Sequence, residues 1–597
     1  MISRCVGIVM DDHGLHCHVN RARQNDPCDD LNSISGHRAY GETHRCFIEG
    51  DATVIAIDDR TTIGEAFQLA AAAYGPRPFL AAPVGPHRAY HQQGYEIDFA
   101  TAAREVQQLC EAYKSRGFGH GHRIAMLLDN RPEHLLHKLA LNTLGISCVP
   151  VNPDYRASEI AYLLENSEAD LAIVSNERRE QLDAGMAISA HKAPIVPFDD
   201  LSSLPVPAKP ARTDPVTSET EASVLYTSGT TGRPKGCMLS HGYELASGAW
   251  YATRGHLAAF RPEGERLYNP LPLYHVNSSI LSFHCVMLTG SCQIQPDRFN
   301  PTRWWSEVTQ TRATIIHYLG VIVPLLLNMP PSAEERDHSV RFGIGAGAEP
   351  QLHALFEKRF NLPLIEIWGM TEMVRVLLDH EAPRQVGTRA FGRPAAGVEV
   401  RVIDEHDNDV ARGSPGEMVI RYNAETPRRH FFSGYLKDEK ATVDAWRGSW
   451  FHTGDTVRQD DDGMLHFVDR KKNIIRRSGE NIAAAEIEAV LQSHDLVKQV
   501  AVLAVPDELR EEEVFACVVL SDPQTADGAA ETLFQHCNRE LAYFKSPGWL
   551  LFVDSLPTTG TQKIQKHHIF PNGQDPRSSA GVHDLRERKK RDPARKG

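Results

Sequence analysis

Residue types suited to phosphate chemistry are concentrated in Leu225 to His241, LYTSGTTGRPKGCMLSH. The apolar lead-in Val224, Leu225 and Tyr226 predicts a strand. Thr227, Ser228, Gly229, Thr230, Thr231 and Gly232 follow, then Arg233, Pro234, Lys235 and Gly236. Glycines let backbone N–H groups turn inward, and hydroxyls add donors. Such a loop can wrap phosphate oxygens, with Lys235 as a mobile counter-charge. A Walker A loop is excluded, because its lysine follows a glycine and precedes Ser or Thr. Here proline precedes Lys235 and glycine follows it. Seen alone, most Gly/Ser/Thr runs are linkers, so the companion groups decide the matter.

Those companions are spread along the chain. Phe342 to Pro350 reads as a strand ending in a small-residue turn, where a flat purine can lie against backbone at Gly347, Ala348 and Glu349. In Ile367-Trp368-Gly369-Met370-Thr371-Glu372, the carboxylate of Glu372 suits Mg²⁺, which takes few carboxylates plus phosphates and water. Trp368 can stack on a purine. Asp455 closes Trp450-Phe451-His452-Thr453-Gly454-Asp455, and an Asp in an apolar setting can accept two ribose hydroxyls. The prolines of Pro270 to Ser279 hold Tyr274 and His275 on a bend. Lys563 stands on a Gly/Thr loop after Leu556-Pro557.

In this order the motifs resemble the adenylate-forming (acyl-CoA synthetase, AMP-binding) family, over roughly residues 60 to 570. The resemblance implies an ATP-dependent carboxylic acid–CoA ligase that makes an acyl-adenylate and then a thioester. It puts Ser228 to Gly232 and Lys235 on the β- and γ-phosphates, Thr371 on the α-phosphate, and Thr227 with Glu372 on Mg²⁺. The Trp368-Gly369-Met370 turn and the Gly347 turn meet adenine, with Trp368 where tyrosine is usual; Asp455 and Arg470 meet ribose. His275 stands at the acyl-pocket entrance and reads the carboxylate. Lys563 matches the catalytic lysine, with Gln562 where glycine is more usual and Lys566 as the nearest rival. Lys472 matches the hinge, and Ser478, Gly479 and Glu480 border the thiol tunnel. Substrates are a carboxylic acid, ATP and coenzyme A. The Trp304–Val308 and Met329–His338 stretches look most like the crotonobetaine/carnitine–CoA ligase branch.

Rival readings stay open at this point. An amino-acid-activating domain would usually show an Asp near His275, and a luciferase-like oxygenase shares the motifs. A non-catalytic nucleotide-binding relative would have lost a catalytic group, whereas Lys235, Glu372, Asp455, Arg470 and Lys563 are all present.

Positioning these groups takes an α/β chain. Helical periods at Ile63–Ala73, Ala102–Arg116, Pro132–Leu144 and Glu159–Asn166 alternate with apolar runs at 123–128, 148–151 and 171–174, which predicts a parallel sheet. Alternating strands at 398–403 and 417–421 suggest a β-subdomain. The expected architecture is a large multi-layered N-terminal α/β domain (61–468), a hinge (469–473) and a small mobile α+β C-terminal domain (474–570). Residues 1–60 read as an extension, with Cys5, Cys17, Cys28 and Cys46 lacking zinc-finger spacing, and 571–597 as a disordered basic tail.

Composition narrows the partners. At 597 residues the chain is long enough for several domains, and 41% hydrophobic content supports a large core. A formal charge of −13 argues against a general nucleic-acid binder. No run reaches the ~18 apolar residues of a spanning helix; Leu319–Leu327, containing Pro324, reads as core. Eleven scattered cysteines fit reduced cytoplasmic thiols. A homodimer is compatible with this reading.

Overall fold

The computed structural model describes residues 54–88, 90–227, 234–470, 473–477, 480–507, 510–541, 543–558, 564–570 and 574–589, with short stretches at 9–11, 14–16 and 45–46. The readings made for most of 1–53 lie outside the described residues. The large domain begins earlier than residue 61: Val54 and Ile55 are buried in its main core, and Asp59 pairs with Arg429 at 2.6 Å.

Local signals start and stop the helices. Thr62 and Glu65 form a reciprocal capping box on Ile63–Tyr74, and Asp98 accepts from the Thr101 amide at the start of Phe99–Ser115. Pro132 opens Pro132–Thr143, where its missing N–H costs nothing. His134 and His137 both turn inward on that helix. Tyr113 bonds His137 Nδ1 at 2.9 Å, and burial pushes the His137 imidazole down to about 4.

Two mixed sheets carry the large domain. The first runs Ile195–Pro197, Leu171–Val174, Arg123–Leu127, Ser147–Pro150, Glu221–Thr227, Lys235–Ser240, Gly434–Tyr435. Its first four pairings are parallel and its last two antiparallel. The second runs Met373–Leu378, Leu364–Met370, Phe342–Ala346, Ile315–Leu319, Arg266–Tyr268, Cys292–Ile294, Pro78–Ala82, Tyr95–Asp98, parallel except at its two ends. One core unites side chains from both sheets, the intervening helices and the β-subdomain, among them Phe79, Leu225, Tyr251, Phe283, Ile344 and Met418. The Leu319–Leu327 run splits into a strand end and a helix with Ile322, Val323 and Leu326 buried. No helix among the described residues is long and apolar enough to cross a membrane.

The β-subdomain is an antiparallel sheet of Ala390–Gly392, Leu465–Arg470, Trp450–Gln459, Gly416–Arg421 and Glu399–Ile403. The C-terminal domain is α+β, with Ala484–Gln492 and Ala529–Glu540 packed beside the long Val497–Asp507 and Glu511–Leu520 hairpin. Residues 574–589 of the basic tail depart from the disorder expected of it. His583–Asp584 adds a strand beside Trp549–Leu550, and Leu585 is buried. Of the charges that suggested a solvated tail, those described are paired within the fold: Arg586 with Asp507 and Asp584, Arg588 with Glu531, Lys589 with Glu513; Lys590 and Arg591 lie outside the described residues.

Candidate active site

The Gly/hydroxyl run joins two paired strands. Glu221–Thr227 and Lys235–Ser240 are antiparallel, with Thr227 opposite Lys235. Ser228, Gly229, Thr230, Thr231 and Gly232 lie outside the described residues. Lys235 therefore begins a strand, a more fixed setting than a mobile counter-charge, and its ammonium lies over the Tyr435 ring, 4.8 Å from the centroid.

Tyr435 links that lysine to the acidic group. It pairs with Cys237 on the edge of the same sheet, and its hydroxyl donates to Glu372 Oε1 at 2.7 Å. Glu372 is only 6% exposed. Burial pushes its carboxyl upward, opposed by bonds from Tyr435 and Cys237 and by the charge of Arg470. Cys237 is buried beside Thr227 and Glu372, and burial followed by the Glu372 charge pushes its thiol up. Thr227 and Glu372 thus converge on one buried sulfur. A carboxylate and a hydroxyl so placed fit Mg²⁺, whose remaining ligands are phosphate and water. No cluster of three or more His, Cys, Asp or Glu able to hold a metal occurs among the described residues. Tyr243 donates to the Thr371 carbonyl at 2.6 Å, fixing the same turn from behind.

The other end of that turn reaches the β-subdomain. Trp368 Nε1 donates to Asp455 Oδ2 at 2.9 Å. Asp455 faces Arg470 across paired strands, with Arg470 Nε 3.6 Å from Oδ1. The indole is thus tied to the carboxylate expected to read ribose.

The small-residue turn has a buried support that sequence reasoning missed. Glu366 accepts from the amides of Gly347 (2.8 Å) and Ala348 (3.1 Å) and from the Tyr318 hydroxyl (2.5 Å). Gly347 has φ +87°, and a Cβ on Gly345 would stand 2.2 Å from the Tyr318 carbonyl oxygen, so both positions need glycine. The Glu349 side chain turns instead to Arg389, at 2.8 Å.

His275 sits half-buried before the Asn277–Ser282 π-helical turn, its ring 4.5 Å from that of Tyr274. The Asn130 side chain bonds the Leu271 carbonyl and the Leu273 amide, holding this bend. Behind it lies a polar layer in which Asn277 bonds His317 and Asn269, and Ser278 bonds Gln295.

The C-terminal groups are less fully described. Lys472, Ser478, Gly479, Gln562 and Lys563 lie outside the described residues. The expected turn at 477–482 is the tip of a hairpin, with Ile474–Arg477 against Glu480–Ala483 and Arg477 opposite Glu480. The loop of Lys563 is closed at its base by the Thr558–Ile564 bridge and by the Gln565 amide on the Pro557 carbonyl. Lys566 is engaged elsewhere, 2.8 Å from the half-buried Glu488. At the hinge, Asp469 accepts from the amide of Ala485, in the first turn of the Ala484–Gln492 helix.

Comparison with known proteins follows the same division. The model of the AMP-binding enzyme family matches residues 71–436, and that of the AMP-binding enzyme C-terminal domain matches 486–563. Crotonobetaine/carnitine–CoA ligase of Escherichia coli O17:K52:H18 is 28% identical over 483 residues, 78% of this chain and 91% of that one. ATP-bound MatB from Rhodopseudomonas palustris superposes with a TM-score of 0.70 at 24% identity, covering 85% of this chain and 98% of the other. The anthranilate CoA ligase AuaEII with anthranoyl-AMP gives 0.74 at 20% identity, covering 86% and 97%. The chain belongs to the AMP-binding enzyme family, and its small domain is that family's C-terminal domain.

Proposed function

We propose that the chain is an AMP-forming acid–CoA ligase. The observation carrying this reading is the convergence of Thr227, Lys235, Tyr435 and Glu372, joined through the 368–372 turn to Asp455 and Arg470. A carboxylate is a poor electrophile, and linking it to AMP supplies a leaving group. The substrate carboxylate oxygen attacks the α-phosphorus, and the bond to the bridging oxygen of pyrophosphate breaks. The attacking group is already ionised, so no general base is needed. What must be overcome is anion–anion repulsion, and oriented donors and cations do that.

The 227–235 hairpin connection and Lys235 hold the β- and γ-phosphates, and Thr371 the α-phosphate. Bound at Glu372 and Thr227, Mg²⁺ would neutralise charge on the leaving pyrophosphate. Adenine lies between the Gly347–Ala348 backbone and Trp368, and ribose hydroxyls donate to Asp455 beside Arg470. Lys563 meets the acyl and α-phosphate oxygens. The coenzyme A thiolate then attacks the acyl carbon and AMP leaves; rotation about Lys472 withdraws Lys563 and brings the Ser478-Gly479-Glu480 turn to the thiol path.

We infer a short, polar acid as substrate. What supports it is the polar character of the buried layer behind the His275 bend, Asn269, Asn277, Gln295 and His317, where a long alkyl chain would call for an apolar one. The name of the crotonobetaine/carnitine–CoA ligase relative agrees in substrate polarity. A pyrophosphate-release screen with coenzyme A should respond to small polar acids, crotonobetaine and carnitine included, over fatty acids of ten or more carbons. A preference for the fatty acids overturns the substrate reading. Silence across the panel despite ATP binding overturns the enzyme reading.

A further inference from the structure

The described part of the tail beyond the matched C-terminal domain reaches a buried charge at Lys589. Residues 574–589 run back across the domain: Arg577 donates to the Pro506 carbonyl, the Leu585 amide to the Gly548 carbonyl, and Arg586 lies over the Trp549 ring at 4.3 Å. Lys589 then turns inward. Its ammonium is 2.5 Å from Glu513 Oε1, and both side chains are fully buried. Glu513 Oε2 meets Arg477 Nε at 2.8 Å and Arg510 at 3.4 Å. Burial first, then the Arg477 and Arg510 charges, pushes Lys589 down to about 8, with Glu513 pulling the other way. The site is shaped around the carboxylate: a Cβ on Gly548 would stand 2.4 Å from Glu513 Cγ.

Arg477 is the last residue of its strand before the 478–480 turn, and its strand joins the sheet through Glu511. A buried carboxylate held from both sides by cations fixes its partners far better than an exposed pair would. We propose that residues 574–589 are a strap which, through Lys589 and Glu513, fixes Arg477 and the hairpin it ends, making Lys589 a positioning residue for the thiol-transfer half-reaction. The proposal rests on the reading of the 478–480 turn as bordering the thiol path. Lys589 touches neither substrate nor reacting atoms; it acts through Glu513 and Arg477. With Lys589 lost, Glu513 keeps Arg477, so the domain should still fold.

The test uses full-length Lys589→Met and Lys589→Arg and the acid giving most pyrophosphate in the panel. Lys589→Met should raise the KM for coenzyme A about five- to tenfold, with pyrophosphate release in the absence of coenzyme A changing less than about twofold. Hydrogen exchange of amides 474–483 should quicken at least about fivefold in the same protein. Lys589→Arg should restore both. If Lys589→Met does not fold, Lys589→Gln takes its place in the same measurements. Exchange and KM both within twofold of wild type overturn the strap. Gly479→Leu separates the two readings: if it leaves the coenzyme A step untouched, the turn reading fails, while hairpin exchange still reads the strap.

Discussion

The two sides of the cleft are built on opposite plans. In the large domain the polar groups are held before any ligand arrives: Lys235 by the Tyr435 ring, Glu372 by the Tyr435 hydroxyl, Asp455 by Trp368. Paired strands carry Lys235 and Asp455, and Glu372 stands on the two-residue turn between two more. In the C-terminal domain three described lysines are spent on the domain itself, Lys566 on Glu488, Lys545 on Glu486 and Lys589 on Glu513. Lys563 stands between Thr558 and Ile564, which bridge to each other. Under the proposed function the difference teaches a division of labour, the rigid side binding and the small domain delivering one cation. Preorganised donors on a rigid frame cost no reorganisation when charge develops.

The comparison breaks most sharply at Lys563. Lys563→Ala should lower adenylate formation by about 10³-fold, yet spare thioester formation from a supplied acyl-adenylate. Equal loss of both half-reactions would mean that the small domain does more than deliver a charge. Next comes Glu372→Gln, which keeps the shape and one acceptor. It should lower pyrophosphate release about 10²-fold and raise the Mg²⁺ concentration needed for half-maximal rate. An unchanged Mg²⁺ requirement would move the metal away from Glu372.

Much of the rigid side was legible because its chemistry sits on short ordered motifs. Thr227, Lys235, Glu372, Asp455 and Arg470 are brought into one neighbourhood, as their motif order implied. Their supports were not legible. Tyr435 lies in a two-residue edge strand that gives no period to read, and it reaches Glu372 across 63 positions. Glu366 did leave a trace: a lone carboxylate in the apolar Leu364–Met370 strand had to be buried and satisfied. The tail misled because charge run and disorder usually go together; here Arg586, Arg588 and Lys589 have partners far off in sequence, Lys589 and Glu513 being 76 positions apart.

A smaller effect tests the hydrogen bond that ties the adenine turn to the ribose carboxylate. Trp368→Phe keeps an aromatic face but removes the donor to Asp455. A hydrogen bond to a charged acceptor is worth about 1.5–3 kcal/mol, but bound ribose and Arg470 remain to satisfy the carboxylate. The KM for ATP should therefore rise only about three- to tenfold with kcat nearly unchanged, and Trp368→Tyr should fall between the two. A large loss of kcat instead would show that the indole orients Asp455 in the transition state as well as in the ground state.

The mildest expected change lies on the other side of the cleft and asks whether Lys566 is structural. Lys566→Met leaves Glu488 without its ammonium, although the Val502 amide still donates to the carboxylate. Burial already pushes Glu488 above the ordinary carboxylate range, so the variant should respond by taking up a proton. Lys566 keeps some exposure, 20% of its side chain, which limits the cost to about 1–2 kcal/mol. That cost should shrink as pH falls through the raised Glu488 titration, because the protonated acid no longer needs a cation. Both half-reactions should keep wild-type KM values and rates within about threefold. A selective loss of adenylate formation in Lys566→Met would instead transfer the delivered charge from Lys563 to Lys566, and the engaged pair with Glu488 would be the resting state of the catalytic lysine.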